Sequence, residues 1–163
     1  MSKPTDTRAI FSPDGTLDWP RESQGAIPVS KLALGTPPTA QGGTDKFIEA
    51  KIPEDLAALF PALTHLHLWG AAKLEKLPTL PPGLRTLDVR NCTNLTALPE
   101  TLATDFPELE ILDLGRSGLR RLPPALPPKL RELYVDHCVA LEGKTLPTFP
   151  ETLECWTPPV AAG

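Results

Sequence analysis

Leucines recur at a regular spacing through most of the chain. The segment LTHLHLWGAAKLEKLP, which begins at Leu63, is followed by similar segments that begin at Leu84, Leu109 and Leu130. Each starts with the pattern L-x-x-L-x-[LV], and with Leu153 included the leading leucines are 21, 25, 21 and 23 residues apart. A repeat of this length predicts a solenoid in which each repeat forms one coil and covers the apolar side of the next.

The residues within one repeat predict its backbone. The last two apolar residues of L-x-x-L-x-[LV] alternate with polar neighbours, which is typical of a short strand with one buried face. Proline follows an apolar residue twice in each coil, as in Leu77-Pro78 and Leu80-Pro81. Because proline fixes φ and cannot donate to a sheet, these stretches predict extended, polyproline-like return segments on the convex side.

Two return segments differ from the others. Residues 52–63 and 98–109 align without a gap, and each has a proline where the first residue of a helix is expected, followed by acidic residues. We therefore expect a short helix in each. A further strand is predicted in the segment VSKLALG, which starts at Val29 and directs Leu32 and Leu34 inward. Residues 37–45 then form a longer loop in that first coil.

These elements predict an α/β leucine-rich-repeat solenoid. Its short parallel strands line the concave face, and its convex segments are mainly extended, with one or two short helices. Residues 29–157 make up about five coils and residues 158–163 a tail. Residues 1–28 are expected to cap the first coil, with a hairpin over 9–19 around a Pro-Asp-Gly turn.

Charge and composition narrow the classes of partner. The net charge of −4 and the absence of Lys/Arg runs argue against nucleic acid, and no apolar run has the ~20 residues that span a bilayer. The polar N-terminus lacks a cleavable secretory signal, so we expect a cytoplasmic protein or one secreted into a host cell by another route. Three cysteines make a disulfide framework improbable. No cofactor is expected.

The combination of L-x-x-L-x-[LV] with L-P-x-L-P-P resembles the leucine-rich repeats of bacterial effectors delivered by type III secretion, some of which carry a ubiquitin-ligase domain. The resemblance covers residues 29–157 and implies protein recognition by the concave sheet, with no catalysis in the repeats. The catalytic Cys-x-Asp of that ligase is missing. The family's Asn at position nine of the repeat is also missing, and the residues there are Ala71, Cys92, Ser117 and Cys138.

The outward positions of the strands are the candidate binding residues. With the leading leucine as position one, positions three, five and seven face outward, and position eight follows the strand. Aromatic residues and arginines at such positions are typical of protein interfaces. We expect binding of a partner protein through His65, His67, Trp69, Asp88, Arg90, Asp113, Arg116, Tyr134 and Asp136. Trp69 and Arg90 are the expected anchors, while the inward Cys92 and Cys138 are expected to be structural.

Three alternatives remain at this stage. His67, Asp88 and Asp113 share position five in successive repeats, and imidazole with carboxylates could form a metal-binding or hydrolytic site. The chain could also be the substrate-targeting domain of a larger enzyme or toxin. Finally, no polar capping unit follows Leu153, so Leu153 and Trp156 could pack end to end on a second copy or on a further domain.

Overall fold

Six parallel strands form a single sheet, and their order in the sheet follows their order along the chain. The computed structural model describes residues 30–34, 52, 54–71, 73–141 and 147–158. The strands are β1 (Lys31–Leu34), β2 (His65–Leu68), β3 (Thr86–Asp88), β4 (Ile111–Asp113), β5 (Glu132–Tyr134) and β6 (Cys155–Thr157). The chain is therefore a parallel-strand solenoid, with four turns between β2 and β6. The expected cap with its hairpin 9–19, the loop 37–45 and residues 159–163 lie outside the described residues.

The register of the sheet follows the sequence repeat. Position four of each repeat pairs with position four of the next, from Leu32 through Leu66, Leu87, Leu112 and Leu133 to Trp156. At the start of each strand, the position-two carbonyl accepts two N–H groups of the following coil, as the Arg85 carbonyl does from Glu110 and Ile111 at 2.8 and 3.0 Å. This repeated geometry keeps the outward residues of successive coils in line.

Leucines from every coil form one continuous core. The leading leucines from Leu63 to Leu130 are at most 1% exposed, and the apolar residues at positions four and six of these repeats are fully buried. A buried leucine of this kind typically contributes about 2 to 5 kcal/mol relative to alanine. The energetic reason for the repeat is thus the burial of one layer of leucines per coil.

Two short helices occur in the return segments where the sequence predicted them. They are α1 (Leu56–Leu59) and α2 (Leu102–Asp105), and the residues that end them, Phe60 and Phe106, are both buried with nearly equal backbone angles. The prediction that Pro99 is the first helical residue is wrong. The Leu102 N–H donates to the Pro99 carbonyl at 3.1 Å, so a turn precedes α2. The 3-10 helix Val139–Leu141 was not predicted.

The coil that contains β6 is packed less tightly than the others. Phe149, Leu153 and Trp156 are only partly buried, whereas Leu130 and Leu133 in the preceding coil are fully buried. The Phe149 and Trp156 rings contact each other, with centroids 4.9 Å apart and planes tilted by 50°. This aromatic pair closes the core at the β6 end of the described sheet. Among the described residues, no helix has the length and apolar character that crossing a membrane requires.

Candidate functional site

The outward side chains of β2 to β5 form two straight columns. Position three contributes His65, Thr86, Ile111 and Glu132, and position five contributes His67, Asp88, Asp113 and Tyr134. Parallel strands lie about 4.8 Å apart, so neighbours within a column are in contact range. We call this surface, together with positions seven and eight, the outer face of the sheet. It brings the predicted residues from four coils onto one surface, although not all of them are accessible.

Asp88 is the most strongly bonded residue of the outer face. Its side chain is 7% exposed and accepts hydrogen bonds from Arg90 Nε and Nη2, the closest at 2.8 Å, and from the Arg90 backbone N–H at 3.1 Å. His67 Nδ1 lies 3.2 Å from Asp88 Oδ2, the oxygen that also accepts a hydrogen bond from Arg90 Nη2. Burial opposes ionisation of Asp88, but the hydrogen bonds from His67 and Arg90 lower its pKa to about 2. Asp88 therefore organises the centre of the face.

Asp113 lies on the next strand, beyond Arg90, where its surroundings disfavour the charged form of its carboxyl group. Its Oδ2 is 3.4 Å from Arg90 Nε, and its Oδ1 accepts the Gly115 N–H at 3.1 Å. Burial raises its pKa to about 6, and the charges of Asp88 and Asp136 add to that effect, while the Gly115 bond and Arg90 oppose it. The raised pKa makes the charge of Asp113 sensitive to pH close to neutrality.

Glycine at position seven leaves room for two carboxylates. A Cβ on Gly115 would lie 2.9 Å from Asp136 Oδ1 and 3.3 Å from Asp113 Oδ1. The other repeats have Trp69, Arg90 and Asp136 at this position. The absence of a side chain at Gly115 therefore lets Asp113 and Asp136 approach the backbone from both sides.

Tyr134 lies on β5, beside Asp113 on one side and Thr157 on the other. Its hydroxyl donates to Glu132 Oε2 at 2.7 Å, and its side chain is partly exposed. This hydrogen bond, with a further interaction with Cys155, raises the pKa of Tyr134. The ring is therefore held in place as a neutral, accessible aromatic group. Glu132, which positions it, was not among the predicted binding residues, although it occupies the position-three column.

The expectation that Trp69 is an exposed anchor is wrong. Trp69 follows β2 and is only 5% exposed, because a large apolar indole gains more from burial than from contact with water. Arg90, the second expected anchor, has a partly exposed side chain, but its guanidinium is bonded to Asp88. Arg90 therefore holds Asp88 in place, and its guanidinium is less available for contact with a partner. The accessible aromatic group of the site is Tyr134.

Position eight of each repeat adopts a left-handed backbone. The φ angles are 67° at Gly70, 59° at Asn91, 57° at Arg116 and 57° at His137. Glycine adopts this region without strain, and asparagine and histidine are enriched there among the other residues, whereas arginine is uncommon there. Arg116 and His137 are exposed, and His137 Nδ1 lies 3.2 Å from Asp136 Oδ2. His137 was missed among the binding residues, although the shared column with Arg116 could have indicated it.

The two histidines of β2 have different partners. His65 Nδ1 lies 2.8 Å from the Thr64 hydroxyl, and burial together with the charge of Lys31 lowers the pKa of this histidine. His67 contacts Asp88, and 43% of its side chain is exposed. Both therefore belong to the outer face, as the sequence predicted, and His67 is the one bonded into its charged network.

A metal site at His67, Asp88 and Asp113 does not form. His67 does contact Asp88, but Arg90 Nε lies within 3.4 Å of both carboxylates, so its positive charge occupies the place where a cation would bind. In the part of the chain that the structure describes, no three His, Cys, Asp or Glu side chains are arranged as metal ligands. The column is therefore a hydrogen-bonded charge network.

The position-nine residues connect adjacent coils from inside. Cys92 donates from Sγ to the Leu68 carbonyl at 3.1 Å, and Cys138 donates to the Leu114 carbonyl at 3.0 Å. Both are fully buried, and burial raises the pKa of Cys92 to about 12. Cys92 and Cys138 are therefore structural thiols, as predicted. Cys155, the third, is exposed on β6.

Comparison with known proteins identifies no relative, because no family model, curated protein or solved structure matches this chain.

Proposed function

We propose that this chain is a protein-binding module that holds a partner protein on the outer face of its sheet. The observation that carries the proposal is the alignment of accessible, chemically varied side chains from four coils on one rigid surface. These side chains include Tyr134, His67, Asp136 and Arg116, none of which is needed to fill the core. A face built only for solvation has no need of an aromatic residue fixed by a hydrogen bond.

Preorganisation supports the same proposal. The network of His67, Asp88, Arg90 and Asp113 fixes side chains on three neighbouring strands. A rigid surface loses less side-chain entropy when a partner docks, which improves affinity without additional contacts. Tyr134 would be the aromatic anchor, since aromatic residues with one polar end are enriched at interface hot spots. Trp69 has no such role, because it is buried.

The solenoid is proposed to be of the leucine-rich-repeat type, on the strength of the L-x-x-L-x-[LV] pattern and the proline steps. By resemblance to type III secreted effectors, the partner would be a host protein. A second possibility keeps the same binding face but makes this chain the substrate-targeting domain of a larger enzyme or toxin. The complete reading frame distinguishes the two, since the second requires an enzymatic domain in the same protein.

A photocrosslinking experiment tests the binding face. Benzoylphenylalanine is placed at Tyr134 on the outer face or, as a matched control, at the exposed Thr79 on a return segment. Each purified protein is irradiated in a bacterial extract and in a eukaryotic cell extract, and crosslinked proteins are identified by mass spectrometry. A protein that crosslinks to position 134 and not to position 79 is the expected result. A product specific to the eukaryotic extract favours the effector interpretation.

Affinity measurements with the crosslinked protein complete the test. The double variant His67→Ala/Tyr134→Ala is expected to bind at least about tenfold more weakly than the wild type, since one hot-spot residue contributes about 1 to 2 kcal/mol or more. The control Thr79→Ala/Glu151→Ala, altered at two exposed return-segment residues, should bind like the wild type. Equal weakening in both variants, or crosslinking from position 79 alone, would show that the outer face is not the binding surface.

A further inference from the structure

Two of the four turns that follow β2 to β5, those after β2 and β4, carry a cluster of positively charged residues. We call residues 70–71, 73–77, 91–98, 116–122 and 137–141 the cationic flank, and its position-eight residues, including Arg116, also belong to the outer face. It contains five cationic residues and a single carboxylate, Glu75, for a formal charge of +4 in a chain whose net charge is −4. The cationic residues are Lys73, Lys76, Arg116, Arg120 and Arg121. The turns after β2 and β4 are therefore cationic, although the overall composition of the chain is acidic.

The cationic side chains of this flank are exposed to solvent. Lys73, Lys76, Arg116 and Arg120 are exposed, and none of them forms an ion pair among the described residues. Arg121 is bonded to Glu100 at 3.2 Å.

The residues that precede the strands behave differently, because each of their arginines and lysines faces a carboxylate. Arg85 lies near Glu110, Lys129 contacts Glu108, and Arg131 contacts Glu154. Among the described residues, the two flanks thus differ in available charge, because the cations before the strands have carboxylate partners and most of those on the cationic flank do not.

Backbone hydrogen bonds hold the turns of the cationic flank together as one surface. The Asn91 N–H donates to the Gly115 carbonyl at 3.0 Å, and the Arg116 N–H donates to the Asp136 carbonyl at 2.8 Å. Further along the same turn, the Arg120 N–H donates to the Thr96 carbonyl at 3.0 Å. Successive turns are stacked like the strands they follow, so the flank is continuous with the edge of the outer face.

We propose that the cationic flank docks an acidic segment of the protein bound by the outer face. The proposal rests on the proposed function and names the chemistry of the partner. The cations form two groups, Lys73 and Lys76 on the turn after β2 and Arg116, Arg120 and Arg121 on the turn after β4, about 10 Å apart across the turn after β3. Separated groups of this kind suit the Asp and Glu side chains of a peptide better than the dense phosphates of nucleic acid, which carry one charge per about 1.7 Å of duplex. Long-range attraction of such a segment would also accelerate association of the partner.

Fluorescence anisotropy with a defined probe tests this proposal without the natural partner. The full chain is titrated into a fluorescein-labelled dodecaglutamate peptide at about 0.03 M ionic strength, where screening is weak. The variant Arg116→Ser/Arg120→Ser is compared with Arg85→Ser/Arg131→Ser, which removes the same charge from the paired flank. The first variant is expected to bind the probe about tenfold more weakly, and the second within about twofold of the wild type.

Circular dichroism confirms that both variants remain folded before binding is compared. Absence of probe binding by the wild type, or equal weakening in the two variants, would overturn the proposal. A labelled dT12 oligonucleotide that binds more tightly than the peptide would also overturn it and point to nucleic acid. The variant His67→Ala/Tyr134→Ala should bind the probe like the wild type, so this result is independent of whether the outer face captures a partner.

Discussion

Asp113 is flanked by Asp88 on one neighbouring strand and by Asp136 near Gly115. Its pKa of about 6 in the folded protein exceeds the ordinary value of 3.8, so the folded state binds a proton more tightly than the unfolded state. Folding stability contributed by this group therefore falls as pH rises from about 4 to 6 and remains lower above pH 6. Asp88, with its lowered pKa, has the opposite dependence, and its contribution is lost only as pH falls from about 4 towards 2.

We predict that Asp113→Asn raises the free energy of unfolding at pH 7.5 by about 1 to 3 kcal/mol, because the amide removes an unfavourable charge. At pH 4 the variant and the wild type should differ little. Urea denaturation at both pH values measures the difference, with the exposed Glu75→Gln as control. A destabilised variant at pH 7.5 would mean that the ion pair with Arg90 outweighs the cost of burial.

The three cysteines should differ in reactivity according to their positions. Cys92 and Cys138 are buried and donate to carbonyl groups of the preceding coil, whereas Cys155 is exposed. Reaction requires the thiolate, which burial disfavours. Ellman's reagent is expected to modify about one thiol per native chain rapidly and all three after unfolding in urea. Rapid modification of two or more thiols in the native protein would contradict the described packing.

Among the structural elements, the turns after the strands have the strictest steric requirements. A Cβ on Gly118 would overlap the Thr93 carbonyl oxygen of the neighbouring turn, and that backbone atom cannot move independently. Gly83, which is also in a turn, has no heavy atom within 4 Å of the corresponding point. The stacking of adjacent turns therefore depends on Gly118 and not on Gly83.

We predict that Gly118→Ala lowers the free energy of unfolding by about 3 kcal/mol or more, while Gly83→Ala changes it by less than about 1 kcal/mol. Thermal and urea denaturation of the two variants test the contrast. A mild effect at Gly118 would indicate that the turns can separate without disturbing the core.

For the whole molecule, stability should vary along the solenoid axis. Each described strand pairs with its neighbours in chain order, and the coil of β6 has partly buried apolar residues where the preceding coil has fully buried ones. In such arrays, stability is approximately the sum of coil and interface terms. The β6 coil is therefore expected to open before the central coils.

We predict that Leu133→Ala lowers the free energy of unfolding by about 3 to 4 kcal/mol and that Leu153→Ala lowers it by about 1 to 2 kcal/mol, because Leu133 is the more deeply buried side chain. Hydrogen exchange should likewise show weaker protection in β6 than in β4 and β5. Equal losses of unfolding free energy in the two variants, together with uniform hydrogen-exchange protection of the strands, would show that the solenoid unfolds as a single cooperative unit.

The repeat itself was predictable because its signals are local. Inward leucines, outward polar residues and proline steps recur every 21 to 25 residues, and each depends mainly on the geometry of a single coil. These signals determined the strands, their register, the two short helices and the inward direction of Cys92 and Cys138. They also determined which columns face outward.

Only the tertiary structure decided which outward residues are accessible. Trp69 is buried, and Asp88 is enclosed by His67 and Arg90. Arg116 and His137 lie in left-handed turns and are exposed. The segregation of unpaired cations on one flank also depends on which side chains of neighbouring coils meet. The physical reason is that these contacts join residues about one repeat apart, and their outcome depends on the size and charge of both partners across the coil boundary.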